Sequence, residues 1–412
     1  MQPNDFSPFD DDLPQGDGLT PTRPFPASAW SDSSEDDTAH SHTSRARERQ
    51  AKRRQHVKTT KKSMRSQPQI ARPDRFQMPN IRLSVNRTLF VIIGAVLVIG
   101  LVVYFLGRLR NNPTESYPNA IWIGTEWTYE QPSETEVQAL AQRLRQSEIG
   151  TVYAWVSWLQ ADETWRGEAN FPNVQTFVQQ FRRAYPEAQL YGWVSLPVED
   201  SDIPYRLDDP AIRQKVAEFS SRVVNEFGFD GVFLNVEPVW NDDQNFLALL
   251  REVRNSVGID TPIGTAVPPD WSPLGADIPV PAQIVPGTAW DKPYKQSVAL
   301  LVNELALMTY NSGLGAPSDY ETWMAYQVAT YAEAISELGE GTEIVIGIPT
   351  YDAEPPGHDP YVENVYTAIA GLKAGLTAAG ENADFVRGVA IYADWTTDDA
   401  EWQAFQEAWV RP

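Results

Sequence analysis

The chain has no cysteine among its 412 residues. Disulfides, zinc–thiolate sites and thiol nucleophiles are excluded together, although this absence identifies no compartment. Histidine is nearly as scarce. Of four histidines, three (His40, His42 and His56) lie near the start and only His358 lies beyond. No metal-ligand spacing can be built from them, so neither a metal nor a cofactor is expected. Positive charge is short as well. The formal net charge is -22, yet nearly half of the Lys and Arg residues precede residue 88, so everything after the long apolar run is more acidic still. An acidic main domain argues against nucleic acid as its partner.

At 46.2 kDa there is room for one large domain with appendages. Residues 1–37 mix Asp, Pro, Ser and Gly with few aliphatic side chains. Such a segment cannot bury enough apolar surface to offset its ordering entropy, so disorder is expected. From Arg45 to Arg65 the sign flips, with Arg47, Arg49, Lys52, Arg53, Arg54, Lys58, Lys61 and Lys62 between them. A basic run of this kind suits nucleic acid or anionic lipid, but its position makes it the positive flank of the next segment. There an uninterrupted apolar run extends from Leu89 to Leu106, bounded by Arg87 and by Arg108 and Arg110. At about 1.5 Å per residue it reaches roughly 27 Å, enough to cross a bilayer core. It has no polar face, so a buried core helix is the poorer reading, and it lies too far along the chain for a cleaved signal peptide.

The expected organisation is therefore a cytoplasmic tail over 1–88, acidic then basic, a membrane-spanning helix over 89–107, a linker over 108–118 and one domain over 119–412. The excess of basic residues before the run puts the N-terminus in the cytoplasm and the large domain outside the cell membrane. The sequence carries no signal for an oligomeric state.

The domain repeats one pattern. Apolar strands are expected at 120–125, 150–157, 189–195, 228–237, 262–267, 305–310, 343–349 and 387–393, and helical spacing follows each. Ser133 and Glu136 form a capping box, and Asp209 followed by Pro210 opens a helix. A Pro-rich loop from Pro268 to Pro293 precedes a helix at 297–302. Eight strands alternating with helices predict a single (β/α)8 barrel; a doubly wound open sheet is the alternative.

The fourth strand carries the chemistry. Phe229, Val232, Leu234 and Val236 are a β-favouring run that Pro238 stops at once. Asn235 and Glu237 interrupt it, and burying them costs energy unless they are paired. In a barrel, function gathers at the C-terminal strand ends. Those ends bring together Trp127, Trp155, Trp158, Trp193, Glu237, Trp240, Trp271, Tyr310, Asn311, Tyr351, Asp352, Tyr392 and Trp395, aromatic rings around a few acids and amides. Aromatic faces stack on the apolar faces of sugars, and carboxylates and amides bond their hydroxyls. Packing of the barrel top alone is the plain alternative for any one of these rings.

The stretch Phe229-Asp-Gly-Val-Phe-Leu-Asn-Val-Glu237 resembles the fourth-strand signature of the family 18 glycoside hydrolases, Asp-Gly-x-Asp-x-Asp-x-Glu. Leu307-Met-Thr-Tyr-Asn311 is similar to the family's Met-x-Tyr-Asp, Val345-Ile-Gly-Ile-Pro-Thr-Tyr351 to its Gly-x-Pro-x-Tyr, and Gly388-Val-Ala-Ile-Tyr392 to the eighth-strand segment that normally ends in Trp. The matches run in family order from about Ala120 to the end of the chain. The resemblance implies a (β/α)8 barrel and a retaining, substrate-assisted glycosidase acting on an N-acetylated glycan, an exception to the usual two-carboxylate route. It implies Glu237 as acid/base, Asn235 and Tyr310 as groups that position the acetamido group, and Asp230 as a fourth member of the catalytic group, supporting the strand and its Glu. Departures accompany the matches. Phe233, Asn235 and Asn311 stand where the family has Asp, and Tyr392 where it has Trp. The Asn-x-Glu pairing is similar to that of family 85 endo-N-acetylglucosaminidases. With fewer acids around it, Glu237 would need desolvation to raise its pKa. The same departures suit a second reading, an inactive barrel that binds glycan or another envelope component.

Overall fold

The computed structural model describes residues 117–412 apart from 200–202, 271–276, 282–283, 285–286, 340 and 354. The expected tail, the apolar run at 89–107 and all but the last residues of the linker lie outside the described residues. Among the described residues no helix is long and apolar enough to cross a membrane.

Eight parallel strands close in sequence order, with β1 (Asn119–Ile123) paired to both β2 (Ile149–Trp158) and β8 (Val386–Tyr392). Between them run β3 (Gln189–Pro197), β4 (Gly231–Glu237), β5 (Ile263–Val267), β6 (Glu304–Met308) and β7 (Glu343–Pro349). Both faces of each strand are covered, one by its helix and one by the barrel interior, which is why the strands read as near-continuous apolar runs. Closure excludes the open sheet.

Local chemistry sets the helix starts. Ser133 accepts from the Glu136 backbone N–H while Glu136 accepts from the Ser133 N–H, completing the capping box. Asp209 caps the helix Pro210–Asn225 through Ala211 N–H. One helix departs from expectation. After β5 the helix is Lys292–Ala299, capped by Asp291 and with Pro293 in its first turn, not 297–302. A proline there lacks only an N–H that the first turn leaves unpaired anyway. The apolar spacing that suggests a later start belongs to its last turn and the turn beyond.

Two buried clusters separate along the pleat. Outward residues pack against the helices. Inward residues form a second cluster containing Trp122, Tyr153, Tyr191 and Phe233. Phe233 stacks on Tyr153 with centroids 4.1 Å apart, and Trp122 meets Phe233 edge-on at 5.7 Å. Beneath these rings Glu304, buried, accepts from the Tyr153 hydroxyl and pairs with Arg387. The interior is thus filled by side chains, and the charges at its base are paired.

Candidate active site at the carboxyl ends of the strands

The inward parity of β4 places Phe233, Asn235 and Glu237 in successive steps toward the mouth. Glu237 ends the strand, half-buried, and its pKa is raised to about 7 by desolvation, with the Asn235 side-chain hydrogen bond opposing. A second carboxylate has no part in that shift. The Asn235 amide is the one neighbour that favours the ionised form of Glu237, and its Oδ1 is buried with no donor. An acceptor in that state costs desolvation energy until a donor arrives.

Facing this pair is Tyr310, just past β6. Burial first, then Tyr392, then Glu237 push its phenol well above the ordinary range, which places the hydroxyl within electrostatic reach of the Glu237 carboxylate. Tyr310 stacks on Tyr392 almost face to face, 4.5 Å apart at 8°. From there the rings continue around the mouth. Tyr392 meets Tyr351 at 6.4 Å and Trp395 at 5.7 Å. Trp395 lies nearly parallel to Trp193 at 6.3 Å, and Trp193 is edge-on to Trp155 at 4.7 Å. The indole N–H groups of Trp193 and Trp395 are buried without an acceptor. The wall therefore offers ring faces together with two unspent donors.

Not every expected residue joins this wall. Trp127 sits in a one-turn helix, Thr125–Thr128, packs toward Phe177 in the outer layer and donates to Asp394 at 2.7 Å. Trp240 donates to Glu199 at 3.3 Å, with the Gly287 backbone under its ring. Asp352 is exposed, and Trp271 lies outside the described residues. Asn311 is at the mouth, but its side chain accepts from the Tyr351 hydroxyl and its backbone is left-handed at φ 55°.

Asp230 corrects the grouping with Glu237. It precedes β4 and accepts from Arg182 at 2.7 Å and from the Leu190 N–H at 2.9 Å, so it ties β3 to β4 at the opposite end of the barrel. About seven residues at roughly 3.3 Å per step separate the two carboxyls along the strand. Its support is to the strand, not to the reacting end.

Two acids at the mouth are not evident in the sequence. Glu126 takes the Gly124 N–H at 3.0 Å, and burial first and Asp394 second raise its pKa to about 7. Asp394 is also raised by burial, with the Trp127 indole acting against the shift. Each leaves one oxygen buried without a partner. The legible signal is an acid–Trp pair at the ends of two adjacent strands, Glu126-Trp127 after β1 and Asp394-Trp395 after β8.

No protein-family model and no curated protein matches the sequence. Solved structures do match its fold. A family 18 chitinase from Cycas revoluta in complex with (GlcNAc)3 is 16% identical, with 71% of this chain and 99% of that chain covered at a TM-score of 0.48. A chitinase from Chromobacterium violaceum is 17% identical over 71% and 99% of the two chains, TM-score 0.44. The spore cortex-lytic enzyme SleL from Bacillus cereus is 11% identical over 70% and 74%, TM-score 0.45.

Proposed function

We propose that this chain is a glycoside hydrolase acting on an N-acetylated glycan outside the cell, anchored in the membrane by residues 89–107 with its N-terminus in the cytoplasm. One observation carries the chemical part: a desolvated carboxyl, Glu237, with a pKa of about 7, beside an Asn235 Oδ1 that lacks a donor. Near neutral pH Glu237 holds its proton long enough to give it to a departing glycosidic oxygen. An acetamido N–H satisfies Asn235 Oδ1 and turns the acetamido carbonyl toward the anomeric carbon. That carbonyl oxygen then attacks as the glycosidic bond breaks, the bond's electrons leaving with the oxygen that Glu237 protonates. Water opens the resulting ring, with Glu237 now the base, and the configuration is retained. Asn235 supplies no negative charge to the cationic intermediate; the Tyr310 hydroxyl, close to Glu237, positions the acetamido group. The wall from Trp155 to Tyr351 takes the faces of the sugars.

The sequence order of the family 18-like segments supports the same reading, and the apolar run with its basic N-terminal flank supports the anchor. The losses at Asn235 and Asn311 favour one other reading, a barrel that binds such a glycan without cleaving it. Wild type and Glu237→Gln, compared on N-acetylglucosamine oligomers and on isolated cell-wall glycan, decide. Turnover that vanishes in the variant supports hydrolysis. Binding by both without turnover supports the binding module, and neither binding nor turnover overturns both.

A further inference from the structure

His358 and Glu363 lie outside the chemistry above, yet they close a ring of contacts around its edge. Glu363 is 1% exposed and His358 6%. Glu363 Oε2 accepts the Asn311 backbone N–H at 2.7 Å, and Oε1 accepts the Ser312 N–H at 2.7 Å and the Ser312 hydroxyl. One carboxylate thus grips two successive backbone donors where the chain leaves β6 in a left-handed turn. His358 presents Nδ1 to the same Oε2 at 3.2 Å and Nε2 to the Tyr351 carbonyl at 3.0 Å. The Tyr351 ring packs on the imidazole at 4.2 Å, and its hydroxyl returns to Asn311 Oδ1. The circuit runs Asn311, Glu363, His358, Tyr351 and back to Asn311.

Its proton count is fixed by the acceptors. A carbonyl oxygen can only accept, so His358 Nε2 carries a proton. Nδ1 then faces a carboxylate oxygen, and a second proton has to lie between them, on the ring or on the carboxyl. Without it two lone pairs oppose each other inside a buried site. The titratable groups around the pair bring no compensating positive charge. They are the Glu401 carboxyl, which burial raises to about 7 with His358 opposing, the exposed Asp352, and the buried Tyr320 and Tyr351. Among the described residues, no Lys or Arg pairs with Glu363 or Glu401.

We infer that Glu363 and His358 are positioning residues of the mouth, and that the single proton held between them locks Asn311 and Tyr351 in place. Tyr351 borders Tyr392, which stacks on Tyr310 beside Glu237. Breaking the His358–Glu363 contact releases the turn after β6, and with it the ring pair that the proposed sugar site uses. Only the binding arm of the test rests on the glycosidase reading.

The full chain, labelled with 15N-histidine, supplies the direct test, with His358→Gln identifying the signal by difference. The expected result is a proton on or bonded to Nδ1. In His358→Ala, which removes the partner of Glu363, the Asn311 and Ser312 amides should exchange with solvent at least tenfold faster than in wild type at the same pH. A bare Nδ1, or amide exchange in that variant equal to wild type, overturns the inference whatever the chain binds. In the binding arm, Glu363→Gln should weaken affinity for the N-acetylglucosamine trimer at least tenfold in a protein that still melts cooperatively. Unchanged affinity overturns the positioning role. If wild type binds no trimer while the His358 proton and its exchange signature are present, the glycan reading fails and the lock stands.

Discussion

Asn235, two residues before Glu237 on the same face of β4, turns the Glu237 pKa down against burial and keeps an unpartnered buried oxygen for something else. The pair divides what two carboxylates would otherwise share: one residue holds the proton, the other holds the free acceptor. The raised pKa of Glu237 then comes from burial, not from repulsion.

A pH–rate dependence is the direct consequence. A general acid with a pKa of about 7 is mostly protonated at pH 6 and mostly ionised at pH 8, so turnover on an N-acetylglucosaminide should be about tenfold lower at pH 8. Asn235→Asp places a second carboxylate beside the first, and the falling limb should move to higher pH. A limb that stays put in that variant removes Asn235 from contact with the acid.

Stability should carry a related signature through Glu126. Its folded pKa, about 7, lies above the ordinary 4.5, so the stabilisation from holding it neutral is fully present below pH 4.5 and is lost as pH rises through 7. The loss is at most about 3 kcal/mol, shared with Asp394. Glu126→Gln retains an oxygen for the Gly124 N–H, so its melting temperature should exceed that of wild type at pH 8 and match it at pH 4.5. Equal melting at both values would show that the carboxyl is solvated.

The aromatic wall divides by burial. Trp193 is 2% exposed and Trp395 half-buried. Trp193→Ala should cost about 3–5 kcal/mol in urea unfolding, whereas Trp395→Ala should leave the fold largely intact and weaken oligosaccharide binding several-fold. Calorimetric titration beside a denaturation curve separates the two effects.

Asp230→Asn tests the other end of the barrel. The Arg182–Asp230 pair is partly exposed, so its loss should cost no more than about 1 kcal/mol, and kcat should not change. A large fall in kcat would place Asp230 in the chemistry despite its position.

The barrel is legible in the sequence because burial on both faces leaves unbroken apolar runs. In β7, Ile344, Val345, Ile346 and Ile348 supply such a run and Pro349 ends it, so both bounds can be read directly. The helix after β5 is harder to place, because its capping Asp291 and its Pro293 follow a long loop whose prolines give no period to read. At the site, Glu237 and the rings of β2, β3 and β8 can be placed by counting to the strand ends. Trp127 cannot, because only the packing of its one-turn helix decides whether an indole faces the mouth or the outer layer. Glu126 and Asp394 are equally hidden, since each becomes unusual only when closure brings the first and last strands side by side. The Phe233 position shows the reverse. Where the resembling family has an acid, this chain has a ring stacked on Tyr153, a packing choice that sequence comparison registers only as a loss.

Those stacked rings have a topological consequence. With Trp122, Tyr153, Tyr191 and Phe233 filling the interior and the Glu304–Arg387 pair beneath them, the barrel is a cup with a solid bottom. Nothing can thread it end to end: a long ligand at the mouth would have to lie across the rim and leave by the way it entered.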